Sequence, residues 1–246
     1  MTNQTSGVGR PQLRSGAEAV AAYRTVHRRV DALTRDRADA CERSVPACPK
    51  WSVRQTVSHL TGTAQDMVAL NLEQAGTDAW TQAQLDRLAD LTLEELLELW
   101  SETIDAVAEL LMQIPKLSAA QAIFDALTHE HDIRGALDEP GSRTADPAFA
   151  VSAGFLTTMV DRAIRRNANP FLRLSTPTTG TIQLGDPARS VGQIAVELSD
   201  FEALRVFGGR RSYRQLQALP WDGDAAPLLP LFDSGVVRPP TGDLIE

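Results

Sequence analysis

The segment from Thr92 to Pro115 restricts the fold more than any other part of the chain. Thr92-Leu-Glu-Glu95 is a capping box, in which each side chain bonds the backbone amide of the other residue. Leu96, Leu97, Trp100, Ile104, Val107 and Leu111 follow at spacings of three and four, and Pro115 stops the run. A helix with so wide an apolar stripe must bury it against other elements. Partners are available on both sides in sequence. Residues 16–38 carry Val20, Tyr23, Val30 and Leu33 at helical spacing. A second capping box, Ser52-Val-Arg-Gln55, opens a helix running through Val57, Leu60, Met67 and Leu70 to about residue 75. A third, Ser118-Ala-Ala-Gln121, opens one through Ile123, Leu127, Ile133 and Leu137. The connections are a Pro-stiffened loop, Ser44 to Trp51, and a stretch over 76–91 with one short helix around 83–88. Four long helices with short connections predict an antiparallel four-helix bundle over 16–145. A polar leader, residues 1–15, precedes it and reads as disordered.

The pattern changes after a fifth helix at about 147–167. Phe171-Leu-Arg-Leu-Ser-Thr and Thr181-Ile-Gln-Leu alternate apolar and polar around a Thr-Pro-Thr-Thr-Gly turn, which reads as a β-hairpin. Ile194 to Leu198 is a third strand. Ser199 or Asp200 caps a helix through Phe207, and the turn Gly208-Gly-Arg-Arg-Ser212 leads into another. The fold class is therefore α+β: the bundle, then a smaller α+β domain over 146–246.

Composition removes several function classes. With 246 residues, 43% apolar and 23% charged, the chain can bury a large core. A net charge of −8 argues against nucleic acid or an acidic membrane surface as partner. No apolar run reaches the ~18 residues of a membrane span. The two cysteines, Cys41 and Cys48, match no zinc motif and read as free thiols in a reducing cytoplasm. There is no repeat, P-loop, dinucleotide fingerprint or G-x-S-x-G.

The chemistry-bearing stretch is Asp125-Ala-Leu-Thr-His129-Glu-His131-Asp132. A carboxylate and an imidazole four apart share one helical face, and Asp132 extends the stripe. His131, about 200° around the helix from His129, points away from it. Such pairs are common on solvated helix faces. A metal site needs a further donor, and His59 on the second helix is the best candidate, with Asp66 two turns beyond it.

Three segments also resemble a known family. Trp51-Ser-Val-Arg-Gln-Thr-Val-Ser-His59-Leu is similar to the W-[ST]-V-R-x-x-x-x-H-L segment of the mycothiol-dependent maleylpyruvate isomerase family. Asp125 to Arg134 is similar to its acid-x3-His-x2-Asp segment. Gly208 to Gln215 and Trp221-Asp-Gly-Asp224 are similar to parts of its C-terminal domain. The resemblance implies a DinB-like bundle followed by a sterol-carrier-like domain. It implies a divalent metal, most often zinc, held by His59, Asp125 and His129. The family commonly has Glu where this chain has Asp125, one methylene shorter, and Asp132 is the alternative carboxylate. The implied activity is isomerisation or S-transfer on a small electrophilic carboxylate such as maleylpyruvate, with mycothiol as thiol cosubstrate. Arg210 or Arg211 would pair with the substrate carboxylate. The expected enzyme is a cytoplasmic monomer or homodimer. A metal hydrolase using bound water, and a non-catalytic protein holding a small ligand, are the alternative readings.

Overall fold

The computed structural model describes residues 8–141, 143, 146–167, 169–233 and 238–246. The chain divides into two compact units, one of residues 14–152 with 244–246, the other of residues 1–13 with 153–243.

In the first unit, α1 (Gly16–Thr34), α2 (Val53–Val68), α4 (Leu93–Gln113) and α5 (Lys116–Leu137) pack as a four-helix bundle. The short α3 (Asp78–Arg87) lies against α2. The apolar stripe that opened the sequence argument is the core: Leu96, Leu97, Trp100, Val107 and Leu111 of α4 are wholly buried, as are Val26 and Val30 of α1 and Ile123 and Leu127 of α5. Burying such side chains contributes about 1.5–3 kcal/mol each. The indole N–H of Trp100 would be an orphan there, and it donates to the Tyr23 hydroxyl at 2.9 Å. Burial pushes the Tyr23 phenol well above its usual range.

Two of the three predicted capping boxes are present. Ser52 accepts from the Gln55 N–H and Gln55 accepts from the Ser52 N–H; Thr92 and Glu95 do the same. The third is absent. α5 begins at Lys116, two residues ahead of Ser118, with Pro115 at its N-cap and no side-chain cap bond. A proline pre-set at helical φ starts the helix directly, so Ser118 already lies inside it. α2 ends at Val68, shorter than expected, where Leu70 turns to positive φ. The proline-containing loop is a short antiparallel hairpin, β1 (Ser44–Val45) and β2 (Cys48–Ser52).

The predicted fifth helix, α6 (Pro147–Asn167), begins in the first unit and continues into the second. The second unit holds a three-stranded sheet: β3 (Phe171–Thr176) pairs antiparallel with β4 (Gly180–Leu184) and parallel with β5 (Gln193–Glu197). The helices α7 (Asp200–Phe207) and α8 (Tyr213–Gln217) follow. Residues 1–7 of the expected leader lie outside the described residues. The rest of it is ordered: Gly9 exchanges backbone hydrogen bonds with Thr181 and Gln183 beside β4, and Ser15 forms a capping box with Glu18. Main-chain pairing needs no apolar side chains, so polarity alone did not reveal it. Among the described residues, no helix is long and apolar enough to cross a membrane.

Candidate metal centre

The capping box at Ser52 fixes where α2 starts, and so fixes His59 in its second turn, with only 5% of its surface exposed. On α5, Asp125 and His129 are four apart on the face turned to α2. The structure brings all three predicted residues together. His59 Nε2 lies 3.5 Å from one Asp125 oxygen, and His129 Nε2 lies 3.7 Å from the other. The three donor atoms fall within 4.8 Å of one another. With zinc–ligand bonds of about 2.0–2.2 Å, neighbouring donors of a tetrahedral site stand about 3.3–3.5 Å apart. The set fits a divalent cation, with a fourth position left over.

A metal ligand must be a bare nitrogen, and His59 is held in the state that supplies one. Its Nδ1 lies 2.8 Å from Gln84 Oε1 on α3. Gln84 Nε2 in turn donates to Asp66 Oδ2 at 2.8 Å. A carboxylate only accepts, so the amide is oriented with its oxygen toward His59, and that oxygen needs a proton on Nδ1. Nε2 is left with its lone pair, aimed at Asp125. Arg87 and Asn71 sit on the other Asp66 oxygen, each at 3.2 Å, and complete the relay. Such outer partners orient ligands and raise their basicity. Gly62 makes the approach feasible: a Cβ there would stand 2.6 Å from the Cβ of Gln84.

Asp132, the alternative carboxylate, is placed differently. It lies 3.0 Å from Nδ1 of His129, on the far side of the ring from Asp125. Next along the helix, Glu130 is fully buried between Arg29 and Arg134, at 2.7 Å and 2.9 Å. Burial opposes the charge on Arg29, but Glu130 and Asp146 outweigh it and raise its pKa. The pair ties α1 to α5 and fixes the rotation at which His129 is presented. His131 lies against Phe149, ring centroids 5.6 Å apart, and belongs to neither donor group found among the described residues.

Aromatic rings enclose the centre. The Trp51 ring, delivered by β2 one residue before the α2 cap, lies 5.2 Å from the His59 ring and 5.7 Å from that of His129. Trp80 of α3 meets His59 edge-on at 6.4 Å. The resemblance marked Trp51 only as part of a motif. Gln84 carried no sequence signal at all, since it sits in a polar run whose only visible feature was weak helical spacing.

The arginines Arg210 and Arg211 lie in the second unit. Arg211 is buried and forms a two-pronged pair with Glu202, both contacts at 2.8 Å. Arg210 bonds the carbonyl of Gly208.

Fold and site define a class: a helical bundle with a two-histidine, one-carboxylate centre, joined to an α+β unit. Residues 23–139 match the family model described as the mycothiol maleylpyruvate isomerase N-terminal domain. The chain resembles the crystal structure of a histidine-to-alanine mutant of the mycothiol-dependent maleylpyruvate isomerase, at 11% identity and a TM-score of 0.52. It resembles that of the mycothiol-dependent maleylpyruvate isomerase itself at 12% and 0.50. Each comparison covers 80% of this chain and 90% of the other, and at these identities the likeness is one of fold. No curated protein matches the chain.

Proposed function

We propose that the protein is a metal-dependent enzyme that activates a low-molecular-weight thiol, mycothiol, for isomerisation or S-transfer on a small electrophilic carboxylate such as maleylpyruvate. The observation that carries the reading is the convergence of His59 Nε2 and His129 Nε2 on the two oxygens of Asp125. The thiol is named from the family model that residues 23–139 match.

His59, Asp125 and His129 would hold a zinc-like cation, which would supply the charge that keeps a thiol deprotonated near neutral pH. Gln84 keeps the Nδ1 proton on His59 and so holds its Nε2 toward the cation. Asp125 contributes negative charge, lowering the net charge of the loaded centre. Trp51 covers both imidazoles and limits water, which strengthens the electrostatics within. The chemistry balances without an oxidant. Sulfur adds to the activated double bond, the resulting single bond rotates, and expulsion of the same sulfur restores the double bond. With a leaving group in place of the double bond, the same attack gives S-transfer. The carboxylate-pairing role of Arg210 or Arg211 is part of this proposal, and Arg210→Lys is expected to slow turnover with metal content and thiol binding intact.

The test is turnover of maleylpyruvate by zinc-loaded protein with and without mycothiol, beside His59→Ala and His129→Ala. Thiol-dependent isomerisation that both variants lose, together with their stoichiometric metal, supports the reading. Full metal occupancy in His59→Ala would sink the ligand assignment. Ester hydrolysis without thiol would replace the reading with a metal hydrolase.

A further inference from the structure

A second group of donors stands on the opposite side of His129. Cys48 begins β2, partly exposed, and its sulfur lies 3.6 Å from Asp132 Oδ2. The same oxygen lies 3.0 Å from His129 Nδ1. Cys48 Sγ, Asp132 Oδ2 and His129 Nδ1 fall within 4.8 Å of one another. His129 is 94% buried by its 6% exposure, and its Nδ1 makes no hydrogen bond despite the close carboxylate. The nitrogen is thus buried and close to an acceptor without being bonded to it. The spacings suit a small tetrahedral site. With zinc–sulfur at about 2.3 Å and zinc–oxygen or zinc–nitrogen at about 2.0–2.1 Å, the sulfur–oxygen edge is about 3.5 Å and the nitrogen–oxygen edge about 3.3 Å. The observed edges are 3.6 Å and 3.0 Å.

We propose that Cys48, Asp132 and His129 Nδ1 form a second site for a thiophilic divalent cation of the zinc and cadmium kind, back to back with the first across the His129 ring. The thiolate selects soft cations, and the buried carboxylate offsets their charge. The hairpin leaves Cys48 open to solvent, so the cation enters without the bundle opening. The two sites share one imidazole, and a neutral imidazole has one bare nitrogen. Filling both displaces the Nδ1 proton, so the second cation binds more weakly than the first. An ion there also pulls on the ring that holds the first, and the expected consequence is inhibition of the thiol chemistry by excess zinc.

Titration of the metal-free full chain with cobalt(II), with no small thiol present, tests this. Sulfur is absent from the first donor set, so a thiolate-to-cobalt charge-transfer band reports the second site alone. The expected result is two equivalents bound, the band rising with the weaker one. Cys48→Ser should lose the band and one equivalent and keep the other, and Cys41→Ser should keep both. His59→Ala should lose the first equivalent and retain the band, so failure of the thiol-enzyme reading and failure of this one are told apart. A single equivalent without a charge-transfer band, or a band that survives in Cys48→Ser, overturns the proposal.

Discussion

The two units treat buried polar groups in opposite ways. In the second unit they close on each other. Arg211 clasps Glu202 through two nitrogens, Asp200 accepts from both the backbone and the hydroxyl of Thr178, and Arg205, fully buried, lies over the Phe201 ring. In the bundle, His59 Nε2 and His129 Nε2 stand 3.5 Å and 3.7 Å from the two oxygens of Asp125. A buried polar group is costly unless it is satisfied. A fold spends its closed pairs on holding itself together, and a cluster of two imidazoles and a carboxylate at these separations has the donor set of a cation site. The contrast also runs along one helix: Glu130 is closed by two guanidinium groups, and its neighbour His129 has donors on both faces.

The sharpest way to break this contrast is to open the closed pair in the bundle. Glu130→Ala leaves two guanidinium groups facing a buried gap, and the expected loss is about 3–5 kcal/mol of unfolding free energy, read by urea denaturation. A loss below about 1 kcal/mol would mean that Glu130 does not hold α1 to α5. Next comes the relay behind His59. Gln84→Ala is expected to weaken zinc about 10–100-fold in a chelator competition, with far-ultraviolet circular dichroism unchanged. Affinity equal to the parent would remove Gln84 from the centre. In the second unit, Glu202→Ala releases a partly exposed pair and is expected to cost about 1 kcal/mol, leaving metal affinity in the bundle unaltered. The smallest effect is assigned to His131→Gln, which should leave metal content at the parent value. Metal loss in that variant would show that the face of α5 has been misread.

Much of this was legible because it is local. The boxes at Ser52 and Thr92 are set by residues three apart, and they fixed the register of α2 and α4. Register then placed His59, and periodicity placed Asp125 and His129 on one face. The box read at Ser118 failed because Pro115 starts the helix earlier, a local signal overruled by a nearer one. What stayed hidden depends on distant chain. Gln84 reaches His59 only because Gly62 admits α3 to the surface of α2. Cys48 meets Asp132 across 84 residues, and its spacing to Cys41 held no hint of it. The parallel pairing of β5 with β3 was likewise invisible, since alternation marks a strand and says nothing of its neighbour.

Trp51 lies against both imidazoles, its ring centroid within 6 Å of each. That position makes the indole an optical reporter built into the protein. Its emission is sensitive to the charge state of each ring beside it, whereas Trp100 is sealed in the core on the Tyr23 hydroxyl. Filling the centre therefore writes itself into the intrinsic fluorescence, and a cuvette and an excitation lamp suffice to follow a cation entering or leaving in real time.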